Sequence, residues 1–303
     1  MFKNTKGLER ERASKLEIAR VIHKMSVIFS LNDLLKRYGL SRSTYYERLK
    51  HDTKPDKYES VKRLIMKKFE SSKQTYGYRR MHFETVKADF PYCEETIRKI
   101  MGKLGIKVDI YSKHTSSYHS YKGTVGRIAP NIIIQDFSET KPFTVLHTDV
   151  TQVKLIDGKW GYISSIEDET SGEILSVAIS NIPNKKLIRN TLMGLKNQLS
   201  TSVNPIIHSD QGWQYQMEEF RQQLKELGMT QSMSRKGNCH DNAPIESHFN
   251  LLKQECLNRY KIKDIKQLRH LVYEYIDWYN NERISLSKNG LTPVEYRNQA
   301  IVV

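Results

Sequence analysis

Apolar residues recur at helical spacing in the first hundred positions and gather into short strand-like runs after residue 143. Leu31, Leu34 and Leu35 open a short amphipathic helix. A turn follows at Tyr38-Gly39-Leu40, and Ser41 stands as N-cap to "RSTYYERLK". Helix, glycine-containing turn and second helix are the helix-turn-helix pattern. In that reading Arg42, Ser43, Thr44 and Tyr45, at the start of the second helix, face base edges; an ordinary helical hairpin has the same pattern. "HDTKPDKY" (51–58) reads as a linker. Val61, Leu64, Ile65, Met66 and Phe69 predict another helix, "TYGYRRM" (75–81) breaks it, and "CEETIRKIMGKLGI" (93–106) predicts one more, with Ile97, Ile100, Met101 and Leu104 on one face. Residues 111–131 mix Tyr, Ser, His, Lys and Gly without periodicity and read as an extended connector. Its Tyr118, Tyr121 and Lys122 either lie along nucleic acid or are inert.

From residue 143 the texture changes. "FTVLHTDVTQVKLI", "KWGYISSIED" and "EILSVAIS" predict three strands, joined by turns at Asp157-Gly158 and Ser171-Gly172. "NKKLIRNTLMGLKNQL" is helical, "NPIIHSD" a short buried strand, "MEEFRQQLKELG" a helix and "TQSMS" a last strand. Hairpin-linked strands followed by alternating helix and strand predict an α/β fold with a mixed sheet.

Charge divides the chain at the same place. The net charge is +15. Residues 1–140 carry 29 Lys/Arg against 16 Asp/Glu, and residues 141–303 carry 20 against 18. A basic front joined to a near-neutral back predicts a nucleic-acid grip at the front, although a solubility surface has the same signature. Arg79, Arg80, Arg98, Lys99 and Lys103 are candidates for phosphate contact, or for a solvated face. Cys93, Cys239 and Cys256 lack CxxC spacing, so neither a disulfide framework nor a zinc site is expected, and a reducing, cytoplasmic compartment fits. No signal peptide or membrane span is read, so no membrane partner is expected.

Three acids in the α/β region stand where folding does not ask for them. Asp149 interrupts the first strand, where an acid suits neither strand propensity nor burial. Asp210 closes "IIHSD" at the carboxyl end of a strand, where open α/β sheets place ligands. Glu246 lies in the first turn of a helix entered by "DNAP", with Asn242 as N-cap and Pro244 near the first helical position. Each acid alone also fits a structural role: a bulge, a cap, a charge favoured by the helix dipole. Together they fit a divalent cation site, since carboxylate oxygens are the ligands Mg²⁺ prefers and two ions suit in-line phosphoryl transfer. The expectation is two Mg²⁺, with Mn²⁺ able to substitute. Asp149 bridges both ions, and Asp210 and Glu246 hold one each.

"HTDVT", "HSDQGWQY", "QSMSRKGNCHDNAPIESHFNLLKQE", "YIDWYNNERISL" and "LTPVEY" together resemble the DDE transposases of the insertion sequence 3 family, relatives of retroviral integrases. The likeness runs forward through "TYGYRRM" and "SYKGTVGRIAPN" and covers most of the chain beyond about residue 20. Thirty-five residues separate Asp210 from Glu246, as in the family, and Lys253 falls seven after Glu246 where the family carries a basic residue. Helical periodicity puts Glu246, Asn250 and Lys253 on one face. The resemblance implies that the loop before the glutamate helix engages DNA through Arg235, Lys236, Asn238 and His240, while Asp241-Asn242 locks the helix entry. Two departures stand out: Leu146 occupies a position where the family usually has Trp, which bears on packing, and the front lacks the zinc domain of retroviral integrases.

The resemblance implies a ribonuclease-H-like catalytic core over residues 141–283, with a tail at 284–303. Before it stand a helix-turn-helix region (1–52), a second small helical DNA-binding domain (56–110) and the connector (111–140). It implies binding of double-stranded DNA at element ends and target, metal-dependent strand cleavage and strand transfer, and a homodimer or higher assembly on DNA. Either an upstream first-frame product is a further partner or Met1 is a separate start. The competing expectations are a DNA-binding regulator with a silent core and a nuclease without strand transfer. His147, His208, Trp213 and Tyr215 are weaker candidates for DNA or metal-supporting roles. Asp168, Trp278, Tyr279 and Arg283 are read as structural.

Overall fold

The computed structural model describes residues 14–52, 55–108, 126–137, 139–196, 198–199, 204–235 and 239–302. The chain divides into two compact units, Met1–Arg63 and Leu64–Val303.

The first unit holds α1 (Lys15–Met25), α2 (Leu31–Tyr38) and α3 (Arg42–Asp52). Ser14 and Glu17 start α1 with a reciprocal capping box. Gly39 ends α2 in the left-handed conformation at φ 64°, which only glycine adopts without steric cost. Ser41 accepts from the Thr44 amide and so starts α3. Ala19, Ile22, Leu34, Leu35, Leu40 and Tyr45 form one small core. The two helices read from the apolar pattern are present, and α1 is added in front of them through Ile18, Ile22 and Met25.

Further along come α4 (Glu59–Ser71), α5 (Tyr78–Lys87) and α6 (Glu94–Lys103). The break expected at "TYGYRRM" is present but lies earlier, between Ser71 and Tyr78: Gly77 is the N-cap of α5, and Tyr78 to Met81 form its first turn. Most of the connector, including Tyr118, Tyr121 and Lys122, lies outside the described residues.

A five-stranded sheet dominates the second unit. Its strands are β1 (Val145–Lys154), β2 (Trp160–Asp168), β3 (Ile174–Ser180), β4 (Ile206–Ser209) and β5 (Thr230–Met233), in the order β3-β2-β1-β4-β5. β1 pairs antiparallel with β2 and β2 with β3, whereas β4 runs parallel to both β1 and β5. The mixed α/β sheet expected from the pattern is therefore the fold, with β1 at its centre. One face packs under α7 (Lys185–Lys196) and α8 (Glu218–Glu226). Leu146, Ile166, Leu175, Ile207, Leu192, Leu195, Phe220 and Leu224 are buried there. On other parts of the sheet, α9 (Ala243–Glu255) packs against β1 and β2, and α10 (Ile265–Asn281) against β3.

Asp168 serves the β2–β3 turn: its carboxylate accepts from the Ser171 amide and hydroxyl and from the Phe143 amide. The segment expected as a tail instead contains α11 (Pro293–Val302), packed on α10. No helix among the described residues is long and apolar enough to cross a membrane.

Gly161 of β2 admits α10 closely, for a Cβ there would fall 2.3 Å from Leu268 Cδ2. Leu268 is fully buried and has little room to move. Gly161→Ala is expected to destabilise the second unit by about 1–3 kcal/mol through overpacking, read as a lower denaturant midpoint at unchanged slope.

Candidate active site

The site begins with strand register. Along β1 and β4 the paired residues are Leu146 with Ile207, His147 with His208, and Thr148 with Ser209. Leu146 and Ile207 belong to the core under α7 and α8. Side chains alternate between faces, so His147, Asp149, His208 and Asp210 point to the opposite side. β4 ends at Ser209, and the next residue on its line is Asp210, which the register brings alongside Asp149. This is also where the sheet switches from antiparallel to parallel neighbours, the crevice in which open α/β sheets bind ligands.

The electrostatics agree with that placement. Burial pushes the Asp149 carboxyl well above the usual aspartate range, and the fields of Asp210 and Glu246 push it further. The Val150 amide, 2.7 Å from Asp149 Oδ1, and the nearby Lys253 ammonium act the other way. Asp210 is also raised, by burial against a hydrogen bond from the Gly212 amide at 2.8 Å. Lys253 is half-buried; burial lowers its pKa and Asp149 opposes the shift. Lys253 and Glu246 thus both lie within electrostatic reach of Asp149. Asn250, between them on α9, is exposed and accepts from Gln254.

The entry of α9 is bolted to β1. Asn242 Nδ2 donates to the Thr148 carbonyl at 3.2 Å, which leaves Oδ1 to face His147 Nδ1 at 3.0 Å. His147 Nδ1 must then carry a hydrogen, since an amide oxygen only accepts. Its Nε2 lies 2.7 Å from a Glu169 carboxylate oxygen, and a single proton between those two atoms completes the bond. Both rings sit in the sheet, as strand packing requires: His147 and His208 are fully buried. His208 lies between the Ser232 and Ser234 hydroxyls, and burial pushes its pKa down to about 4. Asp241, next to Asn242, binds the loop's start. It accepts from the Arg235 amide at 2.8 Å and pairs with the Arg235 guanidinium at 2.9 and 3.1 Å.

Other sequence candidates fall in different surroundings. Arg235 has an exposed side chain but spends its guanidinium on Asp241. Lys236, Asn238 and the His240 side chain lie outside the described residues. Arg42 and Ser43 are exposed at the start of α3; Thr44 is half-buried and accepts from Ser41. Arg79 is exposed over the Tyr78 ring, whereas Arg80 turns inward over Tyr76 towards Glu255. Trp213 is half-buried. Tyr215 is fully buried, and its hydroxyl makes no well-formed hydrogen bond. Sequence reasoning missed Glu255, Glu169 and the bridging geometry of Asn242, because their partners lie far away in the chain.

An aspartate that feels the fields of two further carboxylates and of the Lys253 ammonium has the oxygen-donor chemistry of a divalent cation site. Among the described residues, however, no group of three or more His, Cys, Asp or Glu side chains is closed up tightly enough to hold an ion. The two aspartates are juxtaposed by the sheet, and Glu246 is near enough to act through its field.

An integrase core domain model matches residues 139–239, a second integrase core domain model matches residues 246–301, and an HTH-like domain matches residues 56–114. These matches make the chain an integrase-core protein with an HTH-like domain before the core. The chain is 39% identical over 280 residues to transposase InsK of insertion sequence element IS150 from Escherichia coli (strain K12), covering 92% of this chain and 98% of that protein. It is 26% identical over 283 residues to transposase InsF of insertion sequence IS3A from the same organism, covering 92% and 97%. Among solved structures it is similar to the HTLV-2 integrase catalytic core domain in complex with magnesium, with TM-score 0.41 and 17% identity, covering 52% of this chain and 97% of that one. The chain belongs to the insertion-sequence transposases of the group that includes those of insertion sequence 3.

Asn242→Ala would strand the His147 Nδ1–H and one acceptor site of the Thr148 carbonyl in a buried place. An expected loss of about 1–3 kcal/mol follows, measured by denaturant unfolding, and an unchanged midpoint would contradict the latch. Hydrogen bonding from Arg235 holds the Asp241 carboxyl down to about 2. A depressed acid stabilises the fold above its unfolded value of about 4 and loses that contribution as pH falls towards the folded value. Carbon-detected titration of Asp241 is expected to show a midpoint near the low value in wild type and a higher one in Arg235→Met, where the residue-235 amide and Asn131 still donate to the carboxylate.

Proposed function

We propose that this transposase is a metal-dependent polynucleotidyl transferase that cuts DNA at the ends of its element and joins the freed ends to new DNA. The observation that carries this reading is the juxtaposition of Asp149 and Asp210 at the sheet's switch point, with Glu246 and Lys253 on the helix above β1. Asp149, Asp210 and Glu246 would hold two Mg²⁺, with Mn²⁺ as a substitute. When bound, the ions supply charge neutralisation and activation for an in-line displacement at phosphorus.

The chain's own groups prepare that displacement. A bound cation would offset the burial that raises Asp149 and Asp210 and favour their ionised, ligating forms. Lys253 offers its ammonium to a DNA phosphate beside Asp149, and exposed Asn250 extends the same helical face. Asn242 fixes the distance from β1 to the helix that carries Glu246. At the front, Arg42 and Ser43 at the start of α3 present side chains to base edges of the terminal inverted repeats. Arg79, Lys236 and Asn238 would steady the backbone. Attack by water frees a 3′-hydroxyl at an element end; attack by that hydroxyl on a second phosphodiester joins the strands, with no covalent protein–DNA intermediate. Two ends must meet, so a homodimer or larger assembly on DNA is required, and an upstream first-frame product is a candidate member.

A catalytically silent DNA-binding regulator is the second reading. The observation on its side is that the three carboxylates are not closed into a metal-ligating group among the described residues.

The test is expression of wild type, Asp149→Asn and Glu246→Gln in cells carrying the DNA that flanks this gene, followed by amplification across end-to-end junctions. Junctions are expected with wild type only. Specific end binding without junctions in wild type would support the regulator, and cut ends never joined would leave a nuclease.

A further inference from the structure

The glutamate helix is gripped at its far end by a buried charge cluster that the proposed chemistry does not use. Glu255 is the last residue of α9, two past Lys253. The residue is 3% exposed, and its carboxylate is fully engaged. Arg283 donates from Nε to Oε2 and from Nη2 to Oε1, each at 2.7 Å, in the bidentate fork that arginine alone can offer. Tyr275 Oη donates to Oε2 at 2.9 Å. A second cation arrives from the HTH-like domain: Arg80 Nη1 lies 3.7 Å from Glu255 Oε1.

Both arginines are held in place by aromatic neighbours. Arg283 lies over the Tyr279 ring and Arg80 over the Tyr76 ring. The Tyr76 hydroxyl accepts from the Ile284 amide at 2.8 Å and donates to the Glu282 carbonyl at 3.2 Å, so one tyrosine ties the turn before α5 to the backbone on both sides of Arg283. Burial works against the Arg283 charge, but its bonds to Glu255 outweigh that effect and push its pKa up. Burial and the neighbouring Arg283 push Arg80 down. Leaving the buried Glu255 carboxylate or the Arg283 guanidinium without its partner would be costly.

We infer that Arg80 and Arg283 are positioning residues that set the C-terminal end of the glutamate helix, and that Arg80 makes this setting depend on the HTH-like domain. The inference rests on the reading of Glu246 and Lys253 as active-site groups. Arg79 is exposed in the same helical turn as Arg80. A phosphate drawn to Arg79 therefore acts on the turn whose next residue grips Glu255. Load on the DNA-binding domain reaches the end of α9 through this ion pair and through Arg259, which donates to the Lys73 carbonyl at 2.6 Å and to the Glu255 carbonyl at 3.4 Å.

The test uses the full chain and a duplex carrying one element end. Hydrogen exchange of α9 and the Mg²⁺ dependence of nicking are measured for wild type, Arg80→Met, Arg80→Lys and Arg283→Lys. Supporting partners of a metal site cost about 10–100-fold when removed. Arg80→Met is therefore expected to raise the half-saturating Mg²⁺ about tenfold and to speed exchange in 250–255, with end-DNA affinity unchanged. Arg80→Lys restores both, because Arg80 meets Glu255 as a point charge. Arg283→Lys does not, because the fork is lost. Gly194→Ala, whose Cβ would fall 2.4 Å from Ser176 Oγ under α7, supplies a destabilised chain in which exchange rises in the sheet and in α9 alike while the Mg²⁺ dependence keeps its wild-type value. Arg80→Met with wild-type α9 exchange and Mg²⁺ dependence would overturn the inference, and so would Gly194→Ala reproducing its shift in Mg²⁺ dependence. If wild type does not nick at all, the proposed function fails, while α9 exchange still decides the clamp.

Discussion

The parallel pairing of β1 with β4 is the constraint on which the site depends. It sets Leu146 beside Ile207 in the apolar layer and, by alternation, puts Asp149 and Asp210 together on the other face. A slip of β4 by one residue against β1 would carry Asp210 into the core under α7 and α8, away from Asp149, and turn Ile207 out of that core. The hydrophobic layer therefore fixes the site more firmly than any polar bond around it. Because the acids repel, the sheet must hold them together without help from their own interaction. Burial raises both carboxyls above the usual range, and the field of Asp210 adds to the rise at Asp149.

The polar side of β1 and β4 is costly to bury, and the chain answers with near-complete satisfaction. His147 is bonded at both nitrogens, His208 rests between two serine hydroxyls, and Asn242 uses both ends of its amide. A buried network satisfied in this way rigidifies its surroundings, whereas a half-satisfied one would weaken them. Leu146, the position at which the chain departs from the resemblance, belongs to the opposite layer, in the core under α7 and α8. That departure bears on packing volume rather than on the acids.

Much of this was legible in the chain because it is local. An acid inside a strand, a strand ending in aspartate and a helix opening on glutamate are visible within a few residues of each acid, and turn residues mark the hairpins. The parts that were not legible depend on contacts between distant segments. Asn242 reads as a cap, but its side chain makes no cap bond and instead crosses 94 residues to Thr148. Glu255 reads as one more helical charge until Arg283 and Tyr275 close over it. Arg79 and Arg80 look equivalent in a stretch taken for a break; once α5 begins at Tyr78 they point about 100° apart, one to solvent and one to Glu255.

Helix α9 is consequently held at both ends by different means. Its start is tied to the sheet through Asn242, so Glu246 is referred to the strand that carries Asp149. Its end is tied through Glu255 to the segment after α10 and to α5, so Lys253 is referred to elements outside the sheet. A helix of 13 residues pinned at two points has little freedom to translate, but a small change at one pin tilts it about the other. Glu246 lies in the first turn and Lys253 in the last, so such a tilt moves the carboxylate and the ammonium by unequal amounts relative to Asp149. The pins differ in character. The sheet latch is a set of neutral or locally paired hydrogen bonds inside a rigid layer, while the far clamp is ionic and shared with the HTH-like domain. Adjustment of the site is therefore expected to enter from the Glu255 end, where charge can be exchanged between partners, rather than from the Asn242 end, where any movement strands a buried donor.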